Sequence, residues 1–556
     1  MLALDPQFAT AQGDHKYDMQ ISDYSAGGRE AIAARRAADM ARLNTINARR
    51  LTADEQVDLA ILKNELASEI WHDAVLKDWQ WDPQVYNNAA GDALYSIAAR
   101  DFAPWDVRLK AAIARMNAIP DLLRQARANL IPAEVPLIHA QTVAKQNSGI
   151  VEIADDMLAP HRDALSPEDR AKFDAALATL KAAVTEHQKW LDTVLVPNAK
   201  GDFRLGEKLY DEKLYFSLDS PLTRPEIKTR ALKAFSEVRA QMYTLSRQVL
   251  LAHDPRAALT GHPPLSLPLH PDEVQQQAAI EKALELSYKH LPDRNAMLAD
   301  ARKYVDDEAA FVRAHDLLSI PDAPVNIIEV PKYQQGVAGA YCDPPGPLES
   351  NLPTFFAISP IPESWSAAQA TSYLREYNDY MAHDLAVHEA MPGHYVQLGH
   401  ANAAHDMIRA IFYNSPFVEG WAVYAEGMMA DEGYLHGDPL YKLTVLKMRL
   451  RSVTNALLDI GVHAENMSEA EAMKMMTQGA FQQQSEAAGK WTRVRLTSGQ
   501  LPSYFVGYSE HMALREEMKR KWGKGYTLRR YNEAVLAHGS PATHYVRALM
   551  LGLPIG

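Results

Sequence analysis

The stretch "SPEDRAKFDAALATLKAAVTEHQKWLDTVL", residues 166–195, decides the fold class. Ser166 carries a hydroxyl that caps a helix N-terminus. Pro167 suits the first helical position, where a missing N–H costs nothing. Glu168 and Asp169 face the positive end of the helix dipole. Leu177, Leu180, Val184 and Trp190 then recur at roughly helical spacing. The same grammar returns along the chain. Between Pro225 and Leu250, Ile227, Ala231, Ala234 and Phe235 share a face, and Ser468 followed by Glu471 three residues on makes a capping box. Strand signals are confined to "VNIIEV" (325–330) and "TFFAIS" (354–359), both short, β-branched or aromatic, and closed by a proline. "YCDPPGPLESNLP" (341–353) between them reads as a loop. The expected class is mainly α: a large helical protein with a small β element beside the segment that carries its chemistry. The Pro-rich "HDPRAALTGHPPLSLPLHPDE" (253–273) reads as a connection between an N-terminal helical lobe, 1–265, and a C-terminal lobe, 266–556, unless the two form one continuous catalytic unit.

Composition narrows the function classes. Apolar residues make up 47% and charged residues 23% of the 556, ordinary for a soluble globular protein. Lys+Arg number 57 against 70 Asp+Glu, a net charge of −13, and no basic run appears, so nucleic acid is not an expected partner. One cysteine, Cys342, permits no intramolecular disulfide. No apolar run is long enough for a membrane helix. The N-terminus lacks the basic and apolar regions of a signal peptide. The expected location is therefore cytoplasmic, or periplasmic or secreted with a leader absent from this chain. Oligomeric state is not legible.

The chemistry lies in "LAVHEAMPGHYVQLGH" (385–400). On an unbroken helix, His388 and His394 would point about 240° apart and could not meet one ion. Pro392 removes the hydrogen bond back to the carbonyl of His388, and Gly393 permits backbone that other residues avoid. Together they permit a kink or an unwound turn, and the pair can share a metal if that turn redirects His394 towards His388. A catalytic zinc takes three protein ligands and leaves one position for water, which it acidifies. Glu389 is then placed as general base. The third ligand is expected on "FVEGWAVYAEGMMADEG" (417–433), where Glu419 and Glu426 lie seven apart, close to one helix face. Glu419 is favoured as ligand and Glu426 as the carboxylate that orients a histidine, although spacing does not settle which is which. Asp384 and His388, at i and i+4, allow a different site, but Asp384 reads better as a surface or supporting residue. His400 and His405 read as solvated.

These residues belong to longer matches. "HEAMPGHYVQ", "EGWAVYAEGM", "LDIGVHAENMSEAEA" (458–472), "RLTSGQLPSYFVGYSEHMALREE" (495–517), "DFRLGEKLYDEKL" (202–214) and "YDMQISDYS" (17–25) together resemble the bacterial family called domain of unknown function 885. The resemblance covers nearly the whole chain, and its HExxPGH and EGWxxYxE patterns are specific. It implies a zinc metallopeptidase with a deep central cleft, similar to gluzincin peptidases. It also implies one zinc ion held by His388, His394 and a Glu of the EGW segment, with Glu389 as base. The chain departs from the pattern at Tyr395, where many relatives have a second His, and at "HAENM", where a Trp is usual.

Further candidates complete the reading. Tyr504 and Tyr508, in "QLPSYFVGY", could donate to an oxyanion, with Gly507 giving close backbone approach. Arg493 or Arg495 could hold a substrate carboxylate. "TFFAIS", with Phe355 and Phe356, is expected as an edge strand that pairs with an extended peptide, and Tyr341 as a residue lining the same cleft. The expected function is hydrolysis of peptide bonds. The alternatives are a metal-dependent hydrolase of another amide or ester, and a non-catalytic protein that holds a peptide in the same cleft.

Overall fold

The structure, a computed structural model, describes residues 1–253, 267–331, 339–349, 351–404 and 406–555. The expected lobe boundary at 265/266 and His405 lie outside these. The mainly-α expectation holds, with one small sheet among the described residues. The helix Pro167–Trp190 begins as its sequence dictates, the Ser166 hydroxyl accepting from the Asp169 N–H at 3.1 Å. Of its expected stripe, Leu180 and Val184 are buried, joined by Phe173 and Ala176, against Leu109, Ile119 and Leu123 of the helix Trp105–Asn129, while Leu177 and Trp190 are only partly buried. The Ser468–Glu471 box also forms. The helix Arg224–His253 buries Ile227 and Ala231 in a cluster with Val453, Ile460 and Phe505, so residues far apart in the sequence share one core. No helix among the described residues is long and apolar enough to cross a membrane.

The sheet corrects two readings. Its strands are β1 (Val325–Glu329), β2 (Ala340–Asp343) and β3 (Thr354–Ile358), in the order β1-β3-β2. β1 runs parallel to β3, with Val325 opposite Thr354, and β2 antiparallel, with Ala340 opposite Ile358. β3, which contains Phe355 and Phe356, is therefore the central strand and not an edge. All five of its residues are buried, as an unbroken apolar run requires. β2 falls at the start of the segment read as a loop. At four residues, followed by two prolines, it is too short to give a periodic signal.

Six helices build the region beside the sheet: α1 (Asp379–Glu389), α2 (His394–Ala403), α3 (Ser415–Asp431), α4 (Pro439–Ala464), α5 (Gln484–Leu496) and α6 (Pro502–Trp522). α3 is buried almost throughout, with Trp421, Tyr424 and Met428 in the largest core, beside Phe356 and Val387. α3 and α6 cross where glycine meets glycine. A Cβ on Gly507 would lie 1.7 Å from the Pro416 carbonyl oxygen, and one on Gly420 would lie 2.2 Å from the Gly507 backbone. The close approach expected of Gly507 is thus helix against helix.

Candidate metal centre

α1 ends where the sequence removes its donors. The N–H groups of Ala390 and Met391 both reach the Ala386 carbonyl (2.8 and 3.0 Å), and that of Gly393 reaches the Val387 carbonyl at 2.9 Å. Pro392 has no N–H to continue the ladder, its peptide bond to Met391 is cis, and α2 starts at His394. Gly393 lies flat on the end of α1, where a Cβ would fall 1.9 Å from the His388 carbonyl oxygen. The Trp421 indole N–H, from α3, donates to the Pro392 carbonyl at 3.0 Å in a buried contact that fastens the turn. With the chain so folded, the His388 and His394 rings lie 4.8 Å apart between centroids and 85° to each other. Gly393→Ala should force this turn open. The expected outcome is a zinc affinity at least tenfold weaker, read by competition with a chromogenic chelator.

Glu419, from α3, completes a set. One of its carboxylate oxygens lies 3.5 Å from His388 Nε2 and 3.4 Å from His394 Nε2. Ligand atoms around a tetrahedral zinc, bound at about 2.0–2.2 Å, are about 3.4 Å from one another. The same oxygen, Oε2, is buried without a hydrogen-bond partner among the described residues. Two imidazoles and a carboxylate are a donor set suited to catalytic zinc, so the residues fit the ion. Glu426, two helical turns further along α3, accepts from His388 Nδ1 at 2.6 Å. That bond favours a proton on Nδ1, so that Nε2 is the nitrogen available to an ion.

The electrostatics agree. Burial disfavours a charged His388, but the carboxylates of Glu419 and Glu426 beside it outweigh burial and raise its pKa well above the ordinary value. Burial likewise opposes ionisation of Glu419, and the two imidazoles overcome it, holding that carboxyl below the usual range. The pocket is arranged for positive charge. Behind it, Asp384 is fully buried, not a surface residue, and takes a hydrogen bond from the Tyr441 hydroxyl at 3.3 Å. Burial, with Glu426 nearby, raises its pKa. His383 instead bonds the Tyr434 hydroxyl (3.0 Å), and the half-exposed His400 bonds the Ser319 carbonyl (2.8 Å).

A cavity of about 280 Å³ opens beside the set, and Glu389, His388, Tyr504 and Arg493 all contribute to its wall. No hydrogen bond occupies the Glu389 carboxylate among the described residues, although the residue is only 8% exposed. The Tyr504 ring lies 6.2 Å from the His388 ring, and its hydroxyl accepts from Arg493 at 3.4 Å. The other candidates lie elsewhere. Tyr508 packs under Arg449, 4.8 Å from the guanidinium. Arg495 folds back over the Trp491 ring at 5.0 Å and donates to the Trp491 carbonyl. Phe356 is core, and Phe355 lies beneath Arg100 at 4.8 Å. Tyr341 lines a second cavity of about 610 Å³, together with Cys342 and Asp343. The sequence reading missed Arg451, Glu486 and Lys490, which line the first cavity. The spacing of Glu486, Lys490 and Arg493 along α5, at i, i+4 and i+7, was the signal available.

A family model described as "Bacterial protein of unknown function (DUF885)" matches residues 6–550. A structure described as "a putative lipoprotein of unknown function" from Shewanella oneidensis is 31% identical, with a TM-score of 0.80, over 99% of this chain and 97% of that one. A second, described as "the putative lipoprotein" from Colwellia psychrerythraea, is 17% identical, with a TM-score of 0.72, over 99% of this chain and 96% of that one. The first likeness is one of family, the second of fold alone. No curated protein matches the chain.

Proposed function

Since the chain belongs to the DUF885 family of bacterial proteins of unknown function, a name that carries no activity, we propose its function from the site itself: a zinc-dependent metallopeptidase. The observation that carries this reading is the buried His388, His394 and Glu419 set, at tetrahedral spacing, with the Glu389 carboxylate beside it in a cavity wall. His388 and His394, through their Nε2 atoms, and Glu419 would hold the ion. Zinc there would acidify water and polarise a carbonyl. Glu389 would take the proton of the attacking water and pass it to the leaving amine. The Tyr504 hydroxyl, kept in place by Arg493, would donate to the oxyanion. Glu426 would hold His388 in the ligating tautomer. β2, an edge strand of the sheet among the described residues and bordering the cavity at Ala340, replaces β3 as the strand beside which an extended peptide would lie.

The test is digestion of a mixed peptide library by the zinc-loaded protein, read by mass spectrometry. Cleavage products are expected. They should disappear when a chelator strips the metal and return when zinc is restored. A loaded protein that leaves the library intact overturns the reading.

A further inference from the structure

The wall of the cavity beside the metal set gathers three cations, Arg451, Lys490 and Arg493, away from Glu389 and Glu426, which stand beside the metal set. Arg451, Lys490 and Arg493 project into it, and apart from the metal-set region Glu486 is the acid that faces them. Glu486 is already engaged, by an ion pair with Arg451 and by the Tyr377 hydroxyl at 3.1 Å. Lys490 comes no nearer to it than 3.8 Å, beyond hydrogen-bond distance. The Lys490 side chain is 5% exposed, and among the described residues it makes no hydrogen bond. A lysine that lines a cavity and whose ion pair with Glu486 is 3.8 Å long has donors to spare for a further anion, which would offset the cost of burying its charge.

The strand beside it adds direction. β2 starts at the first cavity, with Ala340, and ends at the second, with Asp343. The second cavity carries Asp5, Asp92, Asp343 and Glu349 against Arg100. A peptide paired antiparallel to β2 would place its amino end in the acidic cavity and its carboxyl end in the basic one.

We propose that Lys490, flanked by Arg451 and Arg493, receives the free C-terminal carboxylate of the substrate, so that the enzyme is a carboxyl-end exopeptidase releasing short fragments; this rests on the peptidase reading above. Water adds across one amide near the carboxyl end. The C–N bond breaks, the upstream fragment keeps the new carboxylate, and the nitrogen leaves on the C-terminal fragment with a proton. Burial and then the neighbouring Arg451 push the Lys490 pKa well down, and the negative charge of an arriving carboxylate opposes that shift.

The experiment uses one peptide as its free acid and as its C-terminal amide. Zinc-loaded protein should cleave the acid with a kcat/KM at least about tenfold higher, the size of a charged hydrogen bond. Metal-free protein should bind the acid about tenfold more tightly by calorimetry. Lys490→Met should bring both ratios to within about twofold, chiefly through KM, and Lys490→Arg should restore them. Equal cleavage and equal binding of acid and amide by the unaltered protein overturn the proposal while leaving the peptidase reading intact. Cleavage of neither overturns the peptidase reading and this proposal with it. A preference that survives Lys490→Met, in protein shown to be folded by circular dichroism, removes Lys490. Should that variant not fold, Lys490→Gln and the acid-to-amide ratios of the unaltered protein decide.

Discussion

Replacing Glu389 by Gln is expected to lower kcat for peptide hydrolysis by about 10²–10⁴-fold, the usual worth of a general base, while the protein keeps its zinc. The substitution preserves shape and removes one function, that of receiving a proton. Glu389 is not part of the tetrahedral set, so the ion should stay. It follows His388 directly at the end of α1, just before the turn at Pro392–Gly393, and no hydrogen bond at its carboxylate competes for that role among the described residues. Metal content by atomic absorption and turnover are measured on the same preparation. Full activity with zinc retained takes Glu389 out of the mechanism. Lost activity together with lost zinc means that it serves the metal, not the water.

Replacing Glu419 by Ala is expected to weaken zinc binding by about three orders of magnitude. Protein zinc sites are worth roughly 10–16 kcal/mol, so losing one of three protein ligands removes about 4 kcal/mol, or about 10³ in affinity. Glu426→Gln is the companion. That residue touches His388 through Nδ1, on the side of the ring away from Glu419, so its loss should cost about 10–100-fold, as an orienting partner does. Competition titration measures both. The ordering decides the pair that spacing left open. If Glu426→Gln were the more damaging, the ligand and orienting roles would be exchanged.

Several parts of the molecule were legible because their causes are local. The helix at 166–195 begins at a capping hydroxyl and a proline, and neither depends on anything distant. The break at Pro392–Gly393 follows from a missing donor and a missing Cβ. Other parts were not legible because their causes lie far away in the chain. "TFFAI" has the composition of a strand, but whether it is central or an edge depends on β2 and β1 pairing on its two sides, which no residue within it records. Tyr504 and Tyr508 are one helical turn apart and chemically alike. The crossing of α3 on α6 at Gly420 and Gly507 turns one towards His388 and the other under Arg449. Arg493 and Arg495 were divided in the same way, one facing the cavity and the other folded on Trp491.

By itself the sequence determined that this is a helical protein, and that a helix stops between two histidines with an acidic pair on a later helix. Those facts are written in backbone donors, Cβ atoms and helical period, which act over a few residues. Tertiary structure alone decided which carboxylate stands at 3.4–3.5 Å from both imidazoles, which tyrosine and which arginine reach the cavity, and that Lys490 lines it with Glu486 no nearer than 3.8 Å. Such distances are set by how whole helices pack, and a shift of one ångström in that packing separates a ligand from a neighbour.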